Sequence, residues 1–410
     1  MLYYLLFIIY FLLLVWVLRK NAIVKTSGFS HITLLLLFIV KISAGIAIGW
    51  ISAEYYAKGN DYWTLHREGL LEYDLLIHHP GKFVNGLFES PYDNKYGGFF
   101  DAVGSYWNDL KNNIIIKILA ILNVLSRGNF YINSLFLNAF SFLGTLALAT
   151  VFYKISKNKM ASLFGSFCIP SALYFSSGIH KDLFVFTMLG FFMYALYTLI
   201  ENPQNIKRWI LLFISIFVLL IMRNIVLFLL IPSLIFLYFR NRYLENGKSL
   251  LITSAICLLS LFFLHFTPAD PLKMIAQRQH DFFDLPVASS QMPLNKLEPH
   301  VQSFTKVLPE AANHAFLRPY LWEYPGHFLM IPAIEWFCIL VFIMIFFLRN
   351  KLQSIAAFYL FSIIFALLII LIAGFIVPNA GSLVRYRSVY LPFLFTPFLL
   401  MWLSLPKRYN

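Results

Sequence analysis

The stretch "WILLFISIFVLLIMRNIVLFLLIPSLIFLYF", Trp209 to Phe239, contains a single charged residue, Arg223. Basic residues bracket it, Lys207 and Arg208 before and Arg240 and Arg242 after. A helix needs about 20 apolar residues to cross roughly 30 Å of hydrocarbon. This run is long enough for two shorter spans, and basic residues at both ends place both ends on the cytoplasmic side. The chain must therefore turn at Arg223-Asn224 on the outer side, and the fold that follows is a bundle of membrane helices.

Outward from that hairpin the pattern repeats. The chain of 410 residues is 60% hydrophobic and only 12% charged, where a soluble domain carries about 25% charged residues. Hydropathy predicts an all-α polytopic membrane protein, one integrated domain over residues 1–410. Eleven spans are expected near 2–18, 31–51, 130–153, 160–176, 183–200, 208–222, 225–239, 249–266, 329–348, 353–376 and 389–404. The first run, Leu2 to Leu18, is followed by Arg19 and Lys20 and not by a small-residue cleavage site, so it reads as a first span. Cys168, Cys257 and Cys338 all lie in apolar runs and read as packing residues.

The connections after spans 1, 3, 5, 7 and 9, with the tail, hold fifteen basic residues, among them Lys351, Lys407 and Arg408. Only Glu201 and Glu245 oppose them, which leaves +13, the net charge of the whole chain. The N-terminus is then expected outside and the C-terminus in the cytoplasm. The high pI is thus a topology signal, and no nucleic-acid partner is implied. Two long segments fall on the outer side, 52–129 and 267–328. "DYWTLHREGLLEYDLL" and "PLKMIAQRQHDFFDL" within them have helical patterning. "NNIIIKILAILNVLSRG" reads as a helix lying at the outer interface. No internal repeat or low-complexity segment is present.

Ionisable residues inside membrane segments are functional candidates by default. Lys41 sits midway along span 2, Lys181 and Asp182 in a tight turn, Glu335 just inside span 9, and Arg385 and Arg387 at the outer end of span 11. Each has a plainer reading beside the functional one. Lys41 snorkels or pairs with Glu335; Lys181 and Asp182 form an ordinary turn that caps a helix; Arg223 only marks a turn. The arginine pair fits such a reading least, because the positive-inside tendency puts arginines on the other face. A shared outward site for an anion accounts for these groups together, and a guanidinium suits phosphate because its planar fork bonds two oxygens at once. Arg385 and Arg387, with Tyr386 between them, are read as holding a lipid phosphate. Asp61 opens the first outer segment and is a candidate general base toward a hydroxyl, or else a helix N-cap. His66 lies about one and a half turns beyond it, and His180 precedes Lys181. No His-x-x-x-His spacing occurs in the first outer segment, so a required metal is not supported; no cofactor is assigned and the question of a divalent metal stays open.

Four fragments carry a resemblance: "GNDYWTLHREG", "PSALYFSSGIHKD", "FLRPYLWEYPG" with the later "PAIEW", and "VRYRSVYLPF". Together they resemble GT-C-type membrane glycosyltransferases, the protein-mannosyltransferase-like and O-antigen-polymerase-like bacterial relatives included. In those families a paired acid often stands in the first loop, whereas here Asp61 is followed by Tyr62. The resemblance implies sugar transfer from a polyprenyl-phosphate-linked donor to a glycan, lipid or protein acceptor on the outer face of a bacterial inner membrane. Asp61 or Asp182 would act as the base. Arg385, Arg387, Lys181, Arg223 and Arg318 would hold the lipid phosphate or glycan, alongside His66, His180 and Tyr386. Polymerisation of lipid-linked repeat units is the neighbouring expectation. A lipid-linked glycan transporter without chemistry is the expectation from another class.

Overall fold

The structure, a computed structural model, describes residues 1–55, 60–87, 106–242, 245–267, 270–324, 328–349 and 355–404. Lys351, Lys407 and Arg408 of the basic connections, Gly59 of the first fragment, and Pro325 and Gly326 of the third lie outside the described residues. By its internal contacts the chain divides into two compact units. The first holds the described residues up to Cys168 and Ala172–Asn224; the second holds Ile169–Ser171 and those from Ile225 onward. Among the described residues every regular element is a helix, apart from a single isolated bridge.

The first unit contains α1 (Leu2–Lys20), α2 (Ala22–Thr26), α3 (His31–Tyr55), α4 (Asp61–His78), α5 (Pro80–Asn85), α6 (Tyr106–Ser126), α7 (Phe130–Ser156) and α8 (Lys159–Phe167). It continues through α9 (Pro170–Phe175) and α10 (Lys181–Glu201) into the first part of α11 (Ile206–Arg242). At its centre is α7, against which α1, α2, α3, α6, α8 and α10 pack. The reason is written in its side chains. Ser134, Ala139, Ser141, Gly144, Thr145, Ala147 and Ala149 are all buried there, and in a membrane small residues mark helix–helix contacts because they let backbones approach. α1 is the opposite case, rich in Leu, Phe and Tyr and almost wholly exposed outside the chain's own packing.

The closest approach is between α7 and α10. A Cβ built on Gly190 would lie 2.1 Å from the Gly144 carbonyl oxygen and 2.7 Å from its carbon. That obstacle is backbone and cannot rotate away. Gly190→Val is therefore expected to destabilise by about 3 kcal/mol, the upper part of the usual overpacking cost. Gly247→Ala, where nothing lies within 4 Å, should leave the unfolding temperature near wild type or raise it slightly. Thermal unfolding of both variants in detergent checks this, and an unchanged Gly190→Val would contradict the crossing.

The second unit contains the remainder of α11, then α12 (Asn246–Leu264), α13 (Pro271–Phe283), α14 (Val301–Phe316), α15 (Met330–Arg349), α16 (Ala357–Ile376), α17 (Ala380–Ser388) and α18 (Leu391–Ser404). Its centre is α16, which packs with α13, α14, α17 and α18. Ala276, Leu297, Val307, Ala311 and Phe375 form a buried apolar cluster there. Both long segments expected outside the membrane are thus partly helical. In the first, α6 buries Ile115, Ile116, Leu119 and Ala120 and exposes Ile121, Val124 and Leu125.

Eight of the described helices are long and apolar enough to cross a membrane, and the shorter apolar α18 adds a ninth candidate. The chain is an all-α, multi-pass membrane protein. Three of the eleven expected spans read differently. The run 160–176 is two short helices, α8 and α9, because Pro170 disfavours helical geometry at Ile169 and the first helix ends at Phe167. The runs 208–222 and 225–239 lie within α11, whose helical geometry is broken at Arg223 (φ −159°, ψ 79°). The break falls at the residue the sequence picked out, and it frees the Arg223 side chain from the helix surface.

Candidate functional site

In the first unit the decisive segment is Ser176–His180, between α9 and α10. A loop among membrane helices must have its polar backbone satisfied by protein. Lys41, from the middle of α3 and fully buried, supplies the largest share. Its ammonium donates to the Ser176 carbonyl at 3.0 Å, to Ser176 Oγ at 2.9 Å and to Ser177 Oγ at 3.4 Å. These three contacts match the three donors of an ammonium. From α7, Ser141 Oγ donates to the same Ser176 carbonyl at 2.8 Å, and Asn138 Oδ1 accepts from the Gly178 amide at 3.3 Å. Gly178 has φ +77°, a left-handed conformation that glycine adopts without penalty. The expected pairing of Lys41 with Glu335 gives way to this anchoring role.

The loop so anchored ends in His180, which is the N-cap of α10. Its Nδ1 accepts from the Asp182 amide at 3.2 Å. Asp182 Oδ2 lies 3.2 Å from the same nitrogen, and Asp182 Oδ1 pairs with Arg223 at 2.9 Å. On the other side of the ring, His180 Nε2 stands 3.6 Å from Asp61 Oδ2. The result is a continuous row, Asp61, His180, Asp182, Arg223. Its inner members are buried, while the Asp61 side chain is 57% exposed. With Nδ1 accepting, the hydrogen of a neutral ring is on Nε2 and faces Asp61. Only Asp61 combines exposure with a place in the row. Asp182 is fully buried; its carboxylate pairs with Arg223 and lies against the His180 ring. Arg223 pairs with Asp182.

Asp61 is the first residue of α4 and Asn60 its N-cap, so the capping reading of Asp61 does not hold. A carboxylate in the first turn nonetheless suits the helix dipole. The helix is fixed by Trp63, whose indole donates to the Gly49 carbonyl at 3.1 Å and stacks on Phe130 at 4.3 Å. Tyr62 lies against the His180 ring at 4.8 Å. His66 is buried edge-on against Phe130 and Trp63, so it packs behind the site. Lys181, half-buried, begins α10 directly beside the row.

The second unit holds the arginines. Asn379 caps α17 by accepting from the Ser382 amide at 2.8 Å. The Met292 amide donates to the Pro378 carbonyl at 2.7 Å, and the Ala380 amide to the Ser290 carbonyl at 2.9 Å, so the second outer segment pins the start of this helix. Because the segment is helical, residues two apart point about 200° from one another, so Arg385 and Arg387 leave α17 on different sides. Arg387 is 1% exposed, donates to the Arg318 carbonyl at 2.7 Å and lies 4.2 Å over the Trp336 ring. Arg385 is half-buried on another face, as is Tyr386, which meets Phe282 at 5.9 Å. Arg318 pairs with Glu323 at 3.3 Å. Nearby, burial and then the Arg318 guanidinium push the His314 pKa down to about 4, against a smaller opposing pull from Glu310.

Glu335 has a role that the sequence did not suggest. Its carboxylate accepts from the Ser171 amide at 2.7 Å and from the Ser171 hydroxyl, capping the first turn of α9 as acidic groups do.

The structure therefore brings Asp61, His180, Asp182 and Arg223 together in one unit. It joins Arg318 to Arg387 in the other and turns Arg385 away from Arg387. His180 was legible as a site residue but not as the link between the two candidate acids. Histidine is not among the usual N-cap residues, so its spacing gave no capping signal. Among the described residues no cluster of His, Cys, Asp and Glu has metal-binding geometry. No family model, no curated protein and no solved structure matches the chain.

Proposed function

We propose that the protein is a membrane glycosyltransferase that moves a sugar from a polyprenyl-phosphate-linked donor to an acceptor hydroxyl on the outer face of a bacterial inner membrane. The observation that carries this reading is the row from exposed Asp61 through His180 and Asp182 to Arg223. A carboxylate of that kind accepts the proton of an attacking hydroxyl. The O–H bond breaks as the hydroxyl oxygen bonds to the sugar's anomeric carbon, and the departing phosphate takes the electron pair of the old bond. His180 Nε2 stands 3.6 Å from Asp61 Oδ2, and Asp182 and Arg223 stand behind the ring. Arg385, a half-buried guanidinium on α17, is a separate candidate for a lipid phosphate on its chemistry alone. Arg387, committed to a backbone carbonyl and Trp336, shapes that helix from within.

A transporter of lipid-linked glycans is the competing reading, because buried acid–histidine rows also serve as proton relays in transporters. The two readings are separated by one experiment. Purified protein in proteoliposomes is given a short-chain polyprenyl-phosphate hexose, and sugar release from the lipid is followed alongside movement of the intact lipid across the bilayer. Release of sugar onto an acceptor supports the transferase. Translocation with the sugar–phosphate bond intact overturns it. Tags at the N-terminus and in 267–328 should be reachable from outside in the same vesicles when the protein is oriented as proposed.

A further inference from the structure

The second outer segment carries a braced aromatic platform. Trp322 is 76% exposed, and its ring lies parallel to Tyr320, with centroids 5.1 Å apart and planes 3° apart. Exposed tryptophans are ordinarily loose. This one is backed by a tyrosine held at both ends. Tyr320 Oη donates to Asn313 Oδ1 at 2.7 Å, and the Tyr320 amide donates to Glu323 Oε2 at 3.1 Å. Glu323 returns its own amide to the Tyr320 carbonyl at 3.1 Å and places its other oxygen 3.3 Å from Arg318. Arg318 lies 5.6 Å from the Tyr320 ring centroid. The exposed indole thus rests on a tyrosine that a carboxylate, a guanidinium and an amide hold in place.

We infer that Trp322 and Tyr320, with Arg318, Glu323 and Asn313, form a subsite for a pyranose residue of a glycan. A pyranose ring has one face of axial C–H groups and a rim of hydroxyls. The C–H face settles on an indole through dispersion and weak C–H···π contacts, and the rim needs donors and acceptors at fixed positions. Both halves are present here. Hydrocarbon, the other common neighbour of an exposed tryptophan in a membrane protein, has no use for a hydrogen-bonded ion pair at the platform's edge. Preorganisation favours the sugar too, because an aromatic already held in place loses little freedom on binding. The inference names the glycan side of the transfer proposed above and rests on that reading for its purpose. Its test needs binding alone, without turnover.

The test is saturation-transfer NMR on the full chain in nanodiscs. The probes are a panel of hexose, N-acetylhexosamine and hexuronate oligosaccharides. Saturation of ring protons on one face of a panel member is expected with the wild type. Trp322→Ala should weaken that binding about tenfold or more, and Trp322→Phe should recover part of it, since one aromatic contact is of that order. The exposed position makes misfolding of these variants improbable, and an unchanged unfolding temperature verifies it. No saturation of any panel member, or equal binding by Trp322→Ala, overturns the subsite. Quenching of Trp322 by brominated lipid, read as the difference from Trp322→Phe, would assign the platform to the bilayer and also overturn it. Glycan binding that persists in a protein inactive in transfer would sink the transferase reading and leave the subsite standing.

Discussion

Asp61→Asn is expected to lower the proposed sugar transfer by about 10²–10⁴-fold, the range typical of general-base loss, and to leave folding and donor binding near wild type. The side chain is 57% exposed and touches the row only at its outer end, so the substitution removes a proton acceptor without opening a cavity. A conservative variant separates a base from a merely structural residue. Asp61→Glu restores a proton acceptor one methylene away and should recover part of the transfer that Asp61→Asn and Asp61→Ala both lose. Asp182→Asn should cost less than Asp61→Asn, because it disturbs the ring behind Asp61 and not the acceptor itself. Single-turnover transfer from a polyprenyl-phosphate hexose, with donor binding measured beside it, makes the comparison. Normal transfer by Asp61→Asn would remove Asp61 from the chemistry and leave the row as a structural or proton-conducting device.

The sequence made the helical membrane class plain because hydropathy and the distribution of Lys and Arg act over many residues at once. It also singled out Arg223, since one charge in so long an apolar run has to be accommodated by a break. What it could not show was the partner of each charge. Lys41 and Glu335 have opposite sign and lie in predicted spans, which made a pair reasonable. Lys41 instead meets Ser176 and Ser177, and Glu335 meets Ser171. Both are charges that cap backbone, and a backbone partner leaves no mark in side-chain composition. The arginines show a second limit. At a spacing of two residues they share a face in extended chain and oppose one another in a helix. "NAGSLVRYRS" has low helical patterning, and only the Asn379 cap and the contacts of Ser290 and Met292 make it α17. The aromatic platform depends on the turn that stacks Trp322 on Tyr320, which the order of residues alone does not dictate.

Arg223→Ala should destabilise the protein by about 3–5 kcal/mol, the cost of taking the partner from a buried charge. Asp182 is fully buried, and the guanidinium 2.9 Å from it is the cation closest to its carboxylate among the described ion pairs. Removing that cation exposes the asymmetry of buried pairs. Losing one member leaves a charge in a medium that solvates it poorly, whereas losing both leaves only a packing defect. Asp182→Asn combined with Arg223→Gln should accordingly recover a large part of the stability lost in Arg223→Ala alone, because the two amides keep a hydrogen bond without a net charge. Arg223→Lys should fall between, since an ammonium keeps the charge and loses the fork. Loss of stability and loss of function then diverge in a useful way. The neutral double variant is expected to fold while transferring sugar poorly, because Asp182 no longer orients His180 as a carboxylate. Apparent unfolding temperature in detergent, read beside single-turnover transfer for the three variants, separates these effects. A double variant no more stable than Arg223→Ala would show that the pair acts through shape and not through charge, and the row would then lose its electrostatic basis.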